Sequence, residues 1–186
     1  MNWNWVSDPS DPNNVKVEKQ IRGAIKKPTG ELTKADLEKV MSLNLFQNRL
    51  IEVPKGLEKL TQLTEVNLTR NQLTDVKGLE NLMQLKELDL QFNQLTDVKG
   101  LENLTQLKEL SLMNNELTEL PKGLENLTQL THLILIYNKL TDVKGLEKLT
   151  QLKVLSLRHN PDLTKAQIDE LKKALPECDI RSNPTK

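Results

Sequence analysis

Five segments of this chain are near-copies of one another, and a sixth begins where they end. They read "VMSLNLFQNRLIEVPKGLEKLTQ" from residue 40, "LTEVNLTRNQLTDVKGLENLMQ" from 63 and "LKELDLQFNQLTDVKGLENLTQ" from 85. "LKELSLMNNELTELPKGLENLTQ" follows from 107, "LTHLILIYNKLTDVKGLEKLTQ" from 130 and "LKVLSLRHN" from 152. The starts are 23, 22, 22, 23 and 22 residues apart, and each 23-residue copy has Pro-Lys-Gly where its neighbours have Val-Lys-Gly. A period this short and regular predicts a solenoid in which each copy stacks only on its neighbours. It also explains the composition. With 37% hydrophobic residues and only 3% aromatics, the core must be built of leucine and valine, as repeat stacking allows.

Within each copy the fourth and sixth residues alternate along a short strand and therefore point the same way. They are Leu43/Leu45, Val66/Leu68, Leu88/Leu90, Leu110/Leu112, Leu133/Leu135 and Leu155/Leu157. Stacked parallel strands would make them one leucine spine. Val53, Val76, Val98, Leu120 and Val143, with Leu60, Leu82, Leu104, Leu127 and Leu149, close it from the return side. The ninth position is always asparagine: Asn48, Asn71, Asn93, Asn115, Asn138 and Asn160. There the chain turns inward off the strand, and an amide that both donates and accepts can satisfy backbone groups left without strand partners.

The pattern L-x-x-L-x-L-x-x-N-x-L over residues 40–162 resembles the leucine-rich repeat family, and the short period with its "LTDVKGLENLTQL" back half resembles bacterial internalin-like repeats. The resemblance implies an α/β horseshoe solenoid with a parallel β-sheet on its concave face. Binding, adhesion or scaffolding of other proteins is the role it implies, since fold alone names no partner.

A solenoid needs lids. Residues 15–39 are expected to form an N-terminal helical cap, with Val17, Ile21, Ala24 and Ile25 on one face, followed by a helix opened by Thr33 and Asp36. Residues 163–186 are expected to form the other cap. There Thr164 and Gln167 open a helix with Ile168, Leu171 and Leu175 on one face, and Leu175, Cys178, Ile180 and Asn183 are expected at positions 1, 4, 6 and 9 of a seventh coil, which makes Cys178 a small hydrophobe in a leucine slot. Residues 1–14 read as a flexible tail, with Trp3 and Trp5 incidental or packed on a neighbouring surface.

With positions 4 and 6 inside, positions 3, 5 and 7 face outward across the concave sheet and position 8 lies at its edge. The aromatics beyond the tail, Phe46, Phe92 and Tyr137, all fall in this outward set. Phe92 and Tyr137, with Met113, Ile134 and Ile136, are expected to form an apolar patch over the third to fifth strands, a composition suited to an interface centre. Glu65, Glu87 and Glu109 line up in a column beside it, with Asp89 two residues along and Lys86 and Lys108 near enough in sequence to offset them. The candidate binding face is therefore Phe46, Glu65, Glu87, Asp89, Phe92, Glu109, Met113, His132, Ile134, Ile136 and Tyr137. Its occupant is an unidentified protein or peptide. Alternatively, the chain is a self-associating structural or cell-surface adhesion protein whose patch is covered by a second copy, as in a homo-dimer, or by its own tail.

Other classes are disfavoured. Basic and acidic residues balance at 26 each, so no net field draws nucleic acid. No apolar run is long enough to span a bilayer. The opening residues lack a secretory signal, although an exported bacterial protein with its signal removed would read the same way. No phosphate-cradling glycine motif is present, and no cofactor is implied. An enzyme needs groups converging in a site that excludes water, which an open sheet provides poorly. His132 and His159, the chain's two histidines, have no evident third ligand for a metal; Glu109 beside His132 is the best acid and imidazole pair.

Overall fold

The computed structural model describes residues 5–183. Seven three-residue strands stack in sequence order into one parallel sheet: β1 (Ser42–Asn44), β2 (Glu65–Asn67), β3 (Glu87–Asp89), β4 (Glu109–Ser111), β5 (His132–Ile134), β6 (Val154–Ser156) and β7 (Asp179–Arg181). From β1 to β6 the register is the one the repeat dictates, so Leu43, Val66, Leu88, Leu110, Leu133 and Leu155 lie side by side. In the seventh coil Ile180, and not Cys178 as expected, stands opposite Leu155, and Cys178 precedes the strand, because the coil that contains the helix Lys165–Ala174 is longer than the repeat. Both spine columns are buried through the sixth coil, and the return-side residues close the same core, with Leu120 only partly covered. Short 3₁₀ helices, such as Leu101–Asn103 and Leu124–Asn126, form that return side.

The asparagine ladder closes the turns. Nδ2 of Asn93 donates to the carbonyls of Leu68 and Leu90, both at 3.0 Å, while its Oδ1 accepts from the Leu73 N–H at 3.1 Å. One side chain thereby ties together two coils. Asn71, Asn115, Asn138 and Asn160 repeat the arrangement and are buried. Asn48 has no complete coil before it; it is half-buried and donates to the Phe46 carbonyl of its own turn.

At the N-terminal end α1 (Pro12–Ile25) lays Val17 and Ile21 on the first coil, with Ile25 partly buried; Ala24, expected on that face, is exposed. Lys26, in the left-handed conformation, ends the helix. Thr33 and Asp36 make both arms of a capping box on α2 (Lys34–Leu37), and Thr164 and Gln167 do the same for α3 (Lys165–Ala174). Beyond α3, Asn183 Nδ2 donates to the Asn160 carbonyl at 3.2 Å and its Oδ1 accepts from the His159 N–H, partners different from those of the ladder asparagines, so it closes the last turn without continuing the ladder. Cys178 packs half-buried against the core, and burial, reinforced by the Asp179 charge, pushes its thiol pKa up and away from reactivity.

The opening segment corrects the expectation of a flexible tail to residue 14. The helix begins at Pro12, and Trp5 is 5% exposed, its Nε1 donating to Glu18 at 3.1 Å and its backbone N–H to the Leu32 carbonyl at 3.1 Å. The indole lies against Gly56, which has φ +95° and where a Cβ would come within 2.8 Å of the ring. A large apolar ring two residues from the polar run outweighs that run, because it finds a slot that only glycine leaves open. Trp3 lies outside the described residues.

Candidate functional site

The concave face carries a groove of ≈ 520 Å³ running across β1 to β5. Its floor is set by register. Position 3 contributes Ser42, Glu65, Glu87, Glu109 and His132 as direct lateral neighbours, and position 5 contributes Asn44, Asn67, Asp89, Ser111 and Ile134. Parallel strands bring such neighbours to about 4.8 Å, so three carboxylates stand opposed, an arrangement that weakens a sheet. Neither Lys86 nor Lys108 pairs directly with them: among the described residues Glu65 and Glu87 form no ion pair, and Glu109 meets only His132, with Nδ1 3.9 Å from its Oε1. Asp89 is engaged differently, accepting from the backbone N–H and side-chain amide of Gln91 at 3.1 and 3.0 Å.

The His132 ring also lies 3.0 Å from the Thr131 hydroxyl, a contact that holds it beside Glu109. Among the described residues no group of three or more His, Cys, Asp or Glu side chains is disposed to hold a metal. Two hydroxyls on this side are orphaned: Ser111 Oγ, in the groove lining, and Thr69 Oγ1 are buried without a hydrogen-bond partner. Thr69 and Ser156, counted among the outward side chains by alternation, are in fact buried, at 9% and 2% exposure.

The aromatic residues occupy the rim. At position 8 the chain leaves each strand through a left-handed residue: Gln47, Arg70, Phe92, Asn114, Tyr137 and His159 have φ from 54° to 59°. That conformation is costly for a bulky side chain, and nothing in the identities of Phe92 or Tyr137 announces it; of the six, Asn114 and His159 are of types enriched there. Side chains in this column contact one another along the solenoid. The Arg70 guanidinium lies 5.0 Å from the Phe92 ring centroid, and the Tyr137 ring stacks on His159 with centroids 4.0 Å apart and planes 2° from parallel.

The apolar side chains of this face occupy different settings. Ile134 lines the groove; Phe92 and Tyr137 sit on the rim with Asn114 between them; Met113 and Ile136 are half-buried at position 7; Phe46, at 44% exposure, belongs to the first coil. Trp5 is committed to the cap beside Gly56 and is not available to cover this face.

Sequence and structure comparisons agree with this geometry. The model for "Leucine rich repeat" matches residues 38–95, and that for "Leucine Rich repeats (2 copies)" matches 84–127 and 128–173. No curated protein matches. Among solved structures the chain is similar to internalin C2 of Listeria monocytogenes, with TM-score 0.83 and 27% identity over 94% of this chain and 78% of that one. A leucine-rich repeat protein of Leptospira interrogans is 36% identical, with TM-score 0.73, over 78% of this chain and 38% of its own. The functional domain of InlJ from Listeria monocytogenes, with TM-score 0.74 and 26% identity, is covered to 35% of its length by 93% of this chain. That domain includes a cysteine ladder; the 186 residues here contain only Cys178. The chain spans little more than a third of these last two. Repeat period, asparagine ladder, parallel sheet and family matches converge, and the chain belongs to the leucine-rich repeat family.

Proposed function

We propose that this chain is a protein-binding module that takes a protein or peptide on its concave face, with Glu65, Glu87 and Glu109 at the centre of the contact and the apolar side chains around them. Internalin-like leucine-rich repeat folds are generally protein-interaction modules, and stacked repeats present an extended concave surface. The observation that carries the reading is where the large apolar side chains lie. Phe46 and Tyr137 are 44% and 47% exposed, Phe92, Met113, Ile134 and Ile136 are half-buried, and all six stand on the concave face or its rim. Groups of this kind serve as interface anchors.

The test replaces Phe92, Met113, Ile136 and Tyr137 together with serine. The four positions are outside the spine, so the variant melts as a folded solenoid, and a pull-down with it loses the partners that the parent captures. Equal capture by the folded variant would remove the concave face from the function. Light scattering on the same pair separates the other occupant: a concentration-dependent dimer that disappears in the variant would make the partner a second copy of the chain. No helix among the described residues is long and apolar enough to cross a membrane.

A further inference from the structure

We infer that the segment received by the concave groove is cationic, an extended polypeptide stretch whose lysine or arginine side chains lie over β2, β3 and β4. This rests on the concave-face reading and adds the chemistry of the occupant. Glu65, Glu87 and Glu109 are consecutive lateral neighbours in the sheet, and the only ion pair any of them makes among the described residues is the long contact of Glu109 to His132. Like charges in register oppose one another, and a groove with low-dielectric walls concentrates their field. The free protein therefore holds an unfavourable arrangement that a cation relieves.

A second, independent observation lies in the same groove. Ser111 sits beside Asp89 in register, and its Oγ is buried without a partner; on the same face Thr69, 9% exposed, leaves Oγ1 unpaired as well. A buried hydroxyl without a partner is uncommon in a folded protein, and its oxygen can accept from an incoming N–H. A hydroxyl can donate or accept, so the unpaired Ser111 group offers a polar contact to a peptide backbone, while the carboxylates set the sign of charge on the side chains that lie over them, which describes lysine and arginine on an extended segment.

The spacing fits an extended segment crossing the strands. The three glutamates span about 10 Å at the inter-strand distance, and same-face side chains of an extended peptide recur about every 6.8 Å. Two basic side chains on flexible stems thus cover three carboxylates. The chain as a whole is neutral, so attraction is local to the groove and falls steeply with added salt.

The test uses a fluorescent peptide of alternating lysine and glycine, and a counterpart with glutamate for lysine, in anisotropy titrations at low and high salt. The lysine peptide binds the parent, weakens as salt rises, and weakens by about tenfold or more against E65Q/E87Q/E109Q, the scale expected of several lost charge pairs. A control, E52Q/E119Q/E177Q, removes three exposed carboxylates elsewhere and binds like the parent. Melting curves verify that both variants fold. The inference is overturned if the lysine peptide fails to bind the parent, if the two triple variants lose affinity equally, or if the glutamate peptide binds as well. Loss of partners in the serine variant of the apolar residues, together with failure of the lysine peptide, would leave the concave face standing and remove its cationic occupant.

Discussion

Asn93 shows how much one side chain carries in this architecture. Its amide serves the Leu68 and Leu90 carbonyls and the Leu73 N–H, three backbone groups with no other place in the sheet pattern. Asn93→Leu strands the Leu73 N–H, at roughly 1–3 kcal/mol, and takes one of two donors from each carbonyl, since Asn71 still reaches Leu68 and Asn115 still reaches Leu90. A loss of about 1–3 kcal/mol is expected in denaturant unfolding, with the groove side chains untouched; an unchanged melt would contradict the ladder's role. This residue was legible in the sequence because it recurs at a fixed step and its chemistry has one evident use. The left-handed rim at position 8 was not. Arginine, phenylalanine and tyrosine have no preference for positive φ, so the conformation at Arg70, Phe92 and Tyr137 is imposed by the turn that the stacked coils require.

At the scale of elements, the caps divide between what local pattern encodes and what it does not. The Thr33/Asp36 capping box follows from spacing alone. Its electrostatics do not: Lys27, nine residues earlier, donates to Asp36 Oδ2 at 2.7 Å and, with the Thr33 N–H and hydroxyl, holds the Asp36 carboxyl well below the usual carboxylate range. A carboxylate whose pKa is depressed by folding stabilises above its unfolded value of about 4 and loses that contribution as pH falls through the native value. The difference in melting temperature between the parent and Asp36→Asn is therefore full at neutral pH and narrows below about pH 4. A gap that stays constant into strong acid would refute it.

Glycines in the same region separate two environments. Gly23 lies inside α1 with nothing near a prospective Cβ, so Gly23→Ala stabilises by about 0.5–1 kcal/mol through helix propensity. Gly56 is at φ +95° against the Trp5 indole, and Gly56→Ala forces the ring out of its slot. Opposite shifts in melting temperature are the expected result; a stabilising Gly56→Ala would mean that Trp5 is not held there. The repeat pattern marks Gly56 as one of a series of turn glycines, but its role as a seat for Trp5 depends on a contact from about fifty residues away, invisible to any local window.

For the whole molecule, the repeat determined most of the architecture before any coordinates. Spine, return-side core, asparagine ladder and the register of the first six strands follow from a period of 22 or 23 residues, because in a solenoid the contacts between coils repeat the sequence step; the seventh strand, which follows α3, is set by packing instead. The acidic column was equally readable, since residues at one repeat position become lateral neighbours. The tertiary structure decided what falls outside that period. It seated Trp5 in the cap, buried Thr69 and Ser156, left the Ser111 hydroxyl without a partner, and moved Phe92 and Tyr137 to a left-handed rim while the glutamates lined the groove. Each of these depends on the curvature of stacked coils or on a contact made only once along the chain. A periodic sequence specifies what every coil shares; single contacts and the shape of the stack are settled only when the coils pack.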